Sequence, residues 1–300
     1  MDFVKHRQIA EENLAIWREK PLLREVYKGF FLEISRCLQK AVSGPTVELG
    51  AGVCGIKEVI PDCICTDQFE STGVDQVESV YDLSFAPESV VNFIMIDVFH
   101  HLQFPFAALE KLRQKLVPGG RVIIFEPAIS LLGLLVYGVF HDEPVALFRP
   151  IDQREFGVPD VRSDFYAAQG NASRIFSNHK YQDNLNKWEL VDRKRYAGVS
   201  YVASGGFKKR PLYSHRYLPA MKKLDAFMDK LPSMFATRQM IVLEKRIYFS
   251  TTPCARHLDQ DVVGDPICVN SLEQETKCSI LGASMTSTSE RFLYEGSYAF

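Results

Sequence analysis

Between Thr46 and Phe125 short apolar runs alternate with helical stretches, and this alternation leaves the chain few architectures. Thr46-Val47-Glu48-Leu49, Cys63-Ile64-Cys65-Thr66, Val90 through Ile96 and Arg121 through Phe125 read as strands, short and rich in β-branched and apolar residues. Phe106 to Leu116 has helical spacing and is closed by Pro118-Gly119-Gly120. Strands connected through helices pair in parallel and carry helices on both faces. Ligands of such sheets bind at the carboxyl ends of the strands.

The flanking regions extend this pattern. From Asp2 to about Val42 the spacing predicts two amphipathic helices, with Pro21 in the first turn of the second and Ser43-Gly44-Pro45 as a break. Residues 128 to 240 are less regular and aromatic, as expected of an elaboration over the strand ends. Ala128 to Phe140, the most apolar stretch, is too short to cross a bilayer and suits a wall facing an apolar ligand. Trp188–Tyr196 and Met240–Phe249 are late strands able to pair and finish the sheet. After Ser250 periodicity fades among Ser, Thr and small residues, so 251–300 is expected to be a weakly structured tail.

Charge and cysteine usage narrow the partners. With 35 basic against 37 acidic residues the net charge is −2, which argues against a nucleic-acid partner. Seven cysteines, an odd number without a C-x-x-C pair, suit a reduced, cytoplasmic protein. Met1-Asp2-Phe3-Val4-Lys5-His6 lacks the apolar core of a signal peptide.

Gly50, Gly52 and Gly55 follow the first strand in a G-x-G-x-x-G spacing. Missing side chains there let a ligand approach the backbone, although a tight turn needs the same residues. Asp67 closes the second strand, where a carboxylate can take a ribose diol or cap a helix. Glu48 discriminates. A carboxylate two places before the first glycine is poorly suited to a pyrophosphate and suits a ligand with a cationic end.

Further blocks follow in order: Leu83-Ser84-Phe85-Ala86-Pro87-Glu88-Ser89, Asp97-Val98-Phe99-His100-His101-Leu102, Leu112 through Arg121, and Phe125-Glu126-Pro127. With Val47-Glu48-Leu49-Gly50-Ala51-Gly52 and Asp67, the sequence resembles the class I S-adenosylmethionine-dependent methyltransferases of the type 11 branch. The resemblance is strong from about 45 to 127, faint to 249 and absent beyond. It implies a Rossmann-like α/β fold with a seven-stranded mixed sheet and helices on both faces. Residues 1–44 would form an N-terminal helical lid and 45–250 the methyltransferase domain, with 128–187 and 197–239 elaborated over the active site. A short third strand near Val77 to Tyr81 would make the third and fourth runs the fourth and fifth strands.

The resemblance also implies roles. Glu48, Gly50, Ala51, Gly52 and Gly55 would hold the amino-acid end of S-adenosylmethionine. Asp67 would bind its ribose, with Gln68 beside the adenine and Val80 and Tyr81 packed on the ring. Asp97 and Val98 would present backbone groups to the methionine moiety, and Tyr27 would belong to the lid or simply to the core. Ser79 stands where the family usually has an adenine-binding aspartate, which weakens that contact.

Methyl transfer needs an aligned nucleophile and, for some acceptors, a base. His100, His101 and His141 are the candidates, with structural packing the alternative for His101. Tyr166 to Arg174 and the basic turn Gly205 to Arg210 are candidate walls of an acceptor pocket. No ligand cluster at metal spacing is visible, so no metal is expected. The expectation is methyl transfer to oxygen or nitrogen of a small-molecule acceptor, sugar-derived or natural-product-derived acceptors included. A nicotinamide-dependent Rossmann oxidoreductase and a non-catalytic S-adenosylmethionine-binding partner protein are the alternatives. Acceptor identity and oligomeric state are left open.

Overall fold

A computed structural model describes residues 3–139, 143–157, 166–208 and 210–247. Its centre is a sheet of seven strands: β1 (Thr46–Leu49), β2 (Ile64–Asp67), β3 (Gln76–Val77), β4 (Val90–Ile96), β5 (Leu116–Pro127), β6 (Trp188–Tyr196) and β7 (Arg238–Lys245). Their order is β3-β2-β1-β4-β5-β7-β6. The first five pair in parallel, and β7 runs antiparallel to both β5 and β6. Order reverses between β1 and β4, where the crossovers diverge to opposite sides and open a crevice.

β4 is buried along nearly its whole length, as a parallel strand covered on both faces must be. Its alternate side chains feed two cores. Phe93 and Met95 join Val47, Leu49, Phe106 and Leu109 on one face. Ile94 joins Ile123, Phe125, Trp17, Tyr27 and Phe31 on the other.

The latter face is covered by α1 (Phe3–Glu19) and α2 (Pro21–Cys37), with Pro21 in the first turn of α2 where its missing N–H costs nothing. Leu22, Leu23, Val26, Tyr27, Phe31 and Ile34 form the buried stripe of α2. On the opposite face α3 (Pro105–Lys115) feeds into β5. The elaboration contributes α4 (Leu131–Val139), α5 (Asn171–Ser177), α6 (Val199–Ala203), α7 (Leu218–Met228) and α8 (Pro232–Phe235). No described helix is long and apolar enough to cross a membrane.

Several expectations are corrected. The third strand is Gln76–Val77, ending where the family resemblance placed its beginning, because Ser79 and Asp82 pair with each other in a tight bridge. After the glycine loop the chain makes only one 3-10 turn, Gly55–Glu58, since Pro61 leaves no room for more. β5 starts five residues before Arg121 and absorbs Pro118-Gly119-Gly120 as an irregularity, with Val90 opposite Leu116 and Asn92 opposite Arg121. β7 starts at Arg238, two residues before Met240. The compact unit ends at Phe249, and the 251–300 segment lies outside the described residues.

Candidate functional site

The backbone leaves β1 through left-handed residues at Gly50 (φ +66°), Gly52 (+52°) and Cys54 (+53°). The first two glycines are required for different reasons. A Cβ on Gly50 would stand 2.5 Å from Val98 Cγ2, whereas one on Gly52 would meet nothing within 4 Å. Gly50 lets the loop pass beside the end of β4, and Gly52 keeps open a space beside the loop. Asp67, at the end of β2, ties that loop down: Oδ2 accepts the Gly52 N–H at 3.1 Å and Oδ1 the Phe69 N–H at 3.4 Å.

A cavity of about 820 Å³ opens beside the loop. Glu48, Gly50, Ala51, Gly52, Val53 and Gly55 form one part of its wall, together with Asn13, Trp17, Tyr27 and Phe31 of the two N-terminal helices. Trp17 meets Tyr27 edge-on at 5.6 Å and stacks on Phe207 at 6.2 Å, and Tyr27 meets Tyr201 edge-on at 5.6 Å. Glu48 is only 4% exposed, and its Oε2 accepts the Cys65 thiol. Burial, with the Cys54 thiol nearby, holds its carboxyl well above the usual carboxylate range.

Asp97 and Arg238 also line the cavity. Asp97 is left-handed (φ +57°), and its carboxylate takes both terminal nitrogens of Arg238 at 2.6 and 2.8 Å. Arg238 is 1% exposed, with Phe125 and Tyr201 at 4.8 and 5.1 Å from its guanidinium. Burial works against its charge, but the facing carboxylate outweighs it and keeps the guanidinium protonated.

The remaining wall carries an imidazole pair. His100 and His101 sit on the 3-10 turn Phe99–His101 after β4, their rings 4.1 Å apart. His100 Nδ1 is 2.7 Å from Glu126 Oε2, while Glu126 Oε1 accepts the Phe99 N–H at 2.7 Å. Glu143 faces both rings, with Oε2 3.1 Å from His100 Nε2 and Oε1 3.8 Å from His101 Nε2. The Gln169 amide donates to the same Glu143 at 3.0 Å. His101 Nδ1 lies 2.9 Å from the Tyr166 carbonyl, which can only accept, so Nδ1 carries the hydrogen. Burial disfavours charge on His100, but the two carboxylates outweigh it and push its pKa up to about 10. Burial and the neighbouring His100 charge lower His101. Burial of Glu143 is outweighed by the histidines, which hold it at about 2.

The fold therefore brings Glu48, Gly50, Ala51, Gly52, Gly55, Tyr27, Asp97, His100 and His101 onto one cavity. Asp67, Gln68, Val80, Tyr81 and Val98 are not on its wall. Gln68 is exposed, and Val80, Tyr81 and Val98 pack half-buried against the core. The Tyr81 hydroxyl accepts the Phe104 N–H, and the Ser79 hydroxyl the Tyr81 N–H. His100 has both ring nitrogens engaged and holds its proton, so it is unsuited to be a base. His141 lies outside the described residues. Side-chain donors of His100, His101 and Glu143, which no sequence spacing linked, all lie within 4.8 Å of one another. The sequence reading missed Trp17, Glu126, Glu143 and Arg238. Only Arg238 left a local sign, a cation opening an apolar strand.

No protein-family model matches the sequence, and no curated protein matches it significantly. Solved structures do. The complex between the Haloferax volcanii Trm112 methyltransferase activator and a methyltransferase matches at 12% identity, covering 81% of this chain and 96% of that one, with a TM-score of 0.47. A SAM-dependent methyltransferase from Archaeoglobus fulgidus matches at 12% identity over 74% of this chain and 94% of that one, TM-score 0.41. Geranyl diphosphate C-methyltransferase from Streptomyces coelicolor A3(2) matches at 10% identity over 74% and 81%, TM-score 0.44. These likenesses concern the overall fold, which here is a Rossmann-like, seven-stranded mixed sheet with helices on both faces and a reversed β7.

Proposed function

We propose that the protein transfers a methyl group from S-adenosylmethionine to an oxygen or nitrogen of a small acceptor with an apolar body. One observation carries the reading: a buried carboxylate, Glu48, lies on a cavity wall of aromatic rings beside the space that Gly52 leaves open. A buried carboxylate and aromatic faces both favour a cationic ligand and disfavour a pyrophosphate. Bound there, S-adenosylmethionine supplies a methyl group on positively charged sulfur.

The chain's own residues divide the remaining work. Glu48 pairs with the ligand ammonium, and Trp17 and Tyr27 exclude water from above the loop. Asp67 holds the glycine loop through the Gly52 N–H and would turn to the ribose hydroxyls when the cofactor binds. Gln68, Val80 and Tyr81 belong to the adenine end, and Val98 backs the loop at Gly50. Arg238 neutralises the Asp97 side chain, which leaves the Asp97 backbone to face the ligand. Leu132, Leu135 and Val136 of α4 give the acceptor an apolar surface, while His101, Glu143 and Gln169 orient its heteroatom.

Calorimetry with S-adenosylhomocysteine and with NADH tests the reading. Saturable binding of the former alone is expected, followed by its release during turnover with apolar acceptors bearing a hydroxyl or amine. Binding of NADH alone would transfer the site to the oxidoreductase alternative. Binding of S-adenosylhomocysteine without turnover on any such acceptor would favour the non-catalytic partner.

A further inference from the structure

We infer that His100, His101 and Glu143 form a divalent transition-metal site on the cavity wall, which holds an oxygen of the methyl acceptor. The site rests on side-chain geometry alone; its role toward the acceptor rests on the function proposed above.

Both imidazoles are arranged as metal-ligating histidines usually are. Each has Nδ1 fixed by an acceptor, Glu126 for His100 and the Tyr166 carbonyl for His101, which leaves Nε2 to face the third group. That group is one carboxylate shared by both rings, with Glu143 oxygens 3.1 and 3.8 Å from the two Nε2 atoms. Ligands about 2.0–2.1 Å from a tetrahedral ion stand about 3.3 Å apart; the three ligand atoms here lie within 4.8 Å of one another, so modest side-chain adjustment would close them on one ion.

Glu126 holds His100 through Nδ1, and an ion would take the place of the Nε2 proton that faces Glu143 when no metal is bound. Glu143 comes from a separate segment, 43 residues along the chain, and is oriented by the Gln169 amide. An ion with two positive charges would balance the Glu126 and Glu143 carboxylates. Two imidazoles and a carboxylate suit zinc, ferrous, cobaltous or nickel ions rather than magnesium or calcium, which prefer all-oxygen sites. Three protein ligands leave a coordination position open, and all three residues line the cavity. The substrate class follows: an acceptor with a hydroxyl or carboxylate oxygen at or beside the methylated atom, polarised by the ion.

Cobalt(II) is the probe, added to the metal-stripped full-length chain and followed by its visible d–d absorption and by equilibrium dialysis. One ion per chain is expected. His101→Ala and Glu143→Gln should each weaken binding at least about a hundredfold, and Glu126→Gln about 10–100-fold through the outer-shell contact. His179→Ala, a change at an exposed histidine, should leave binding unaltered. Glu143→Gln keeps the side-chain volume and one oxygen but removes the anionic ligand, so a melting curve like the wild type ties the lost binding to coordination. Titration with S-adenosylhomocysteine separates the two readings: cobalt binding without it would sink the methyltransferase role and leave the metal site standing. Absence of cobalt binding to the wild type, or equal affinity in all variants, would overturn the metal site whatever the cofactor result.

Discussion

Gly50→Ala and Gly52→Ala make a paired test, because the loop asks different things of two residues in similar conformations. Both are left-handed, so an alanine at either costs about 1–2 kcal/mol in backbone strain. At Gly50 the new Cβ also meets Val98 Cγ2 at 2.5 Å, and relieving such an overlap in a packed site adds about 1–3 kcal/mol. The expected totals are about 2–5 kcal/mol for Gly50→Ala and about 1–2 kcal/mol for Gly52→Ala. For a unit of this size each kcal/mol lowers Tm by about 2–4 °C, giving losses of about 4–20 °C and about 2–8 °C respectively.

Binding should rank the other way relative to stability. The Gly52 methyl projects into open space beside the loop, so S-adenosylhomocysteine affinity should fall at least about tenfold, or about 1.4 kcal/mol. Differential scanning fluorimetry gives the melting temperatures, and calorimetry below the lower transition gives affinity. A Gly50→Val change would act first on the fold through Val98, which makes it a poor test of ligand contact. The reasoning is refuted if Gly50→Ala melts no lower than Gly52→Ala, or if Gly52→Ala binds S-adenosylhomocysteine as the wild type does.

Asp67→Ala frees the Gly52 N–H and is expected to cost about 1–3 kcal/mol in urea denaturation and weaken S-adenosylhomocysteine 10–100-fold; a change in neither would remove Asp67 from the site. Asp97→Asn leaves the buried Arg238 guanidinium without its counter-charge, at a cost of about 3–5 kcal/mol. Adding Arg238→Met should recover part of that loss, and additive costs in the double-mutant cycle would show that the pair does not act as a unit. Glu48 has a folded-state pKa raised above 4.5, so the folded protein binds its proton more tightly than the unfolded chain. Apo stability should therefore fall as pH rises from about 4.5 through the raised value, while affinity for the cationic ligand rises over the same window. Glu48→Gln should flatten both profiles, and an unchanged stability profile would show that Glu48 does not titrate there.

The parallel half of the sheet was legible because its signals are local. β1, β2 and β4 appear in the sequence as apolar runs, and the turn residues after them mark their ends. β6 was located residue for residue, since Trp188 and Tyr196 bound a stretch of strand-forming length. β3 was displaced because its two residues, Gln76 and Val77, are both exposed and carry no burial pattern. β5 was cut short because Pro118-Gly119-Gly120 reads as a terminator, whereas here an irregular register lets the strand continue through it. Local chemistry was sound in both cases, and pairing with β4 overrode it.

The site divides along the same line, for a physical reason. Its glycine-loop wall is built from β1 and the loop after it, and a backbone that must leave room for a ligand advertises itself through glycines. The histidine wall is assembled by tertiary contact: Glu126 from β5, Glu143 and Gln169 from the elaboration, with Arg238 from β7 against Asp97. Burying a carboxylate requires a partner, but not one at any set distance along the chain. Glu143 finds His100 across 43 residues and Arg238 finds Asp97 across 141, so neither pairing leaves a spacing to recognise. The glycine-loop wall is therefore visible in the sequence, while the histidine wall becomes legible only when Glu143, Gln169 and the histidine pair are seen together.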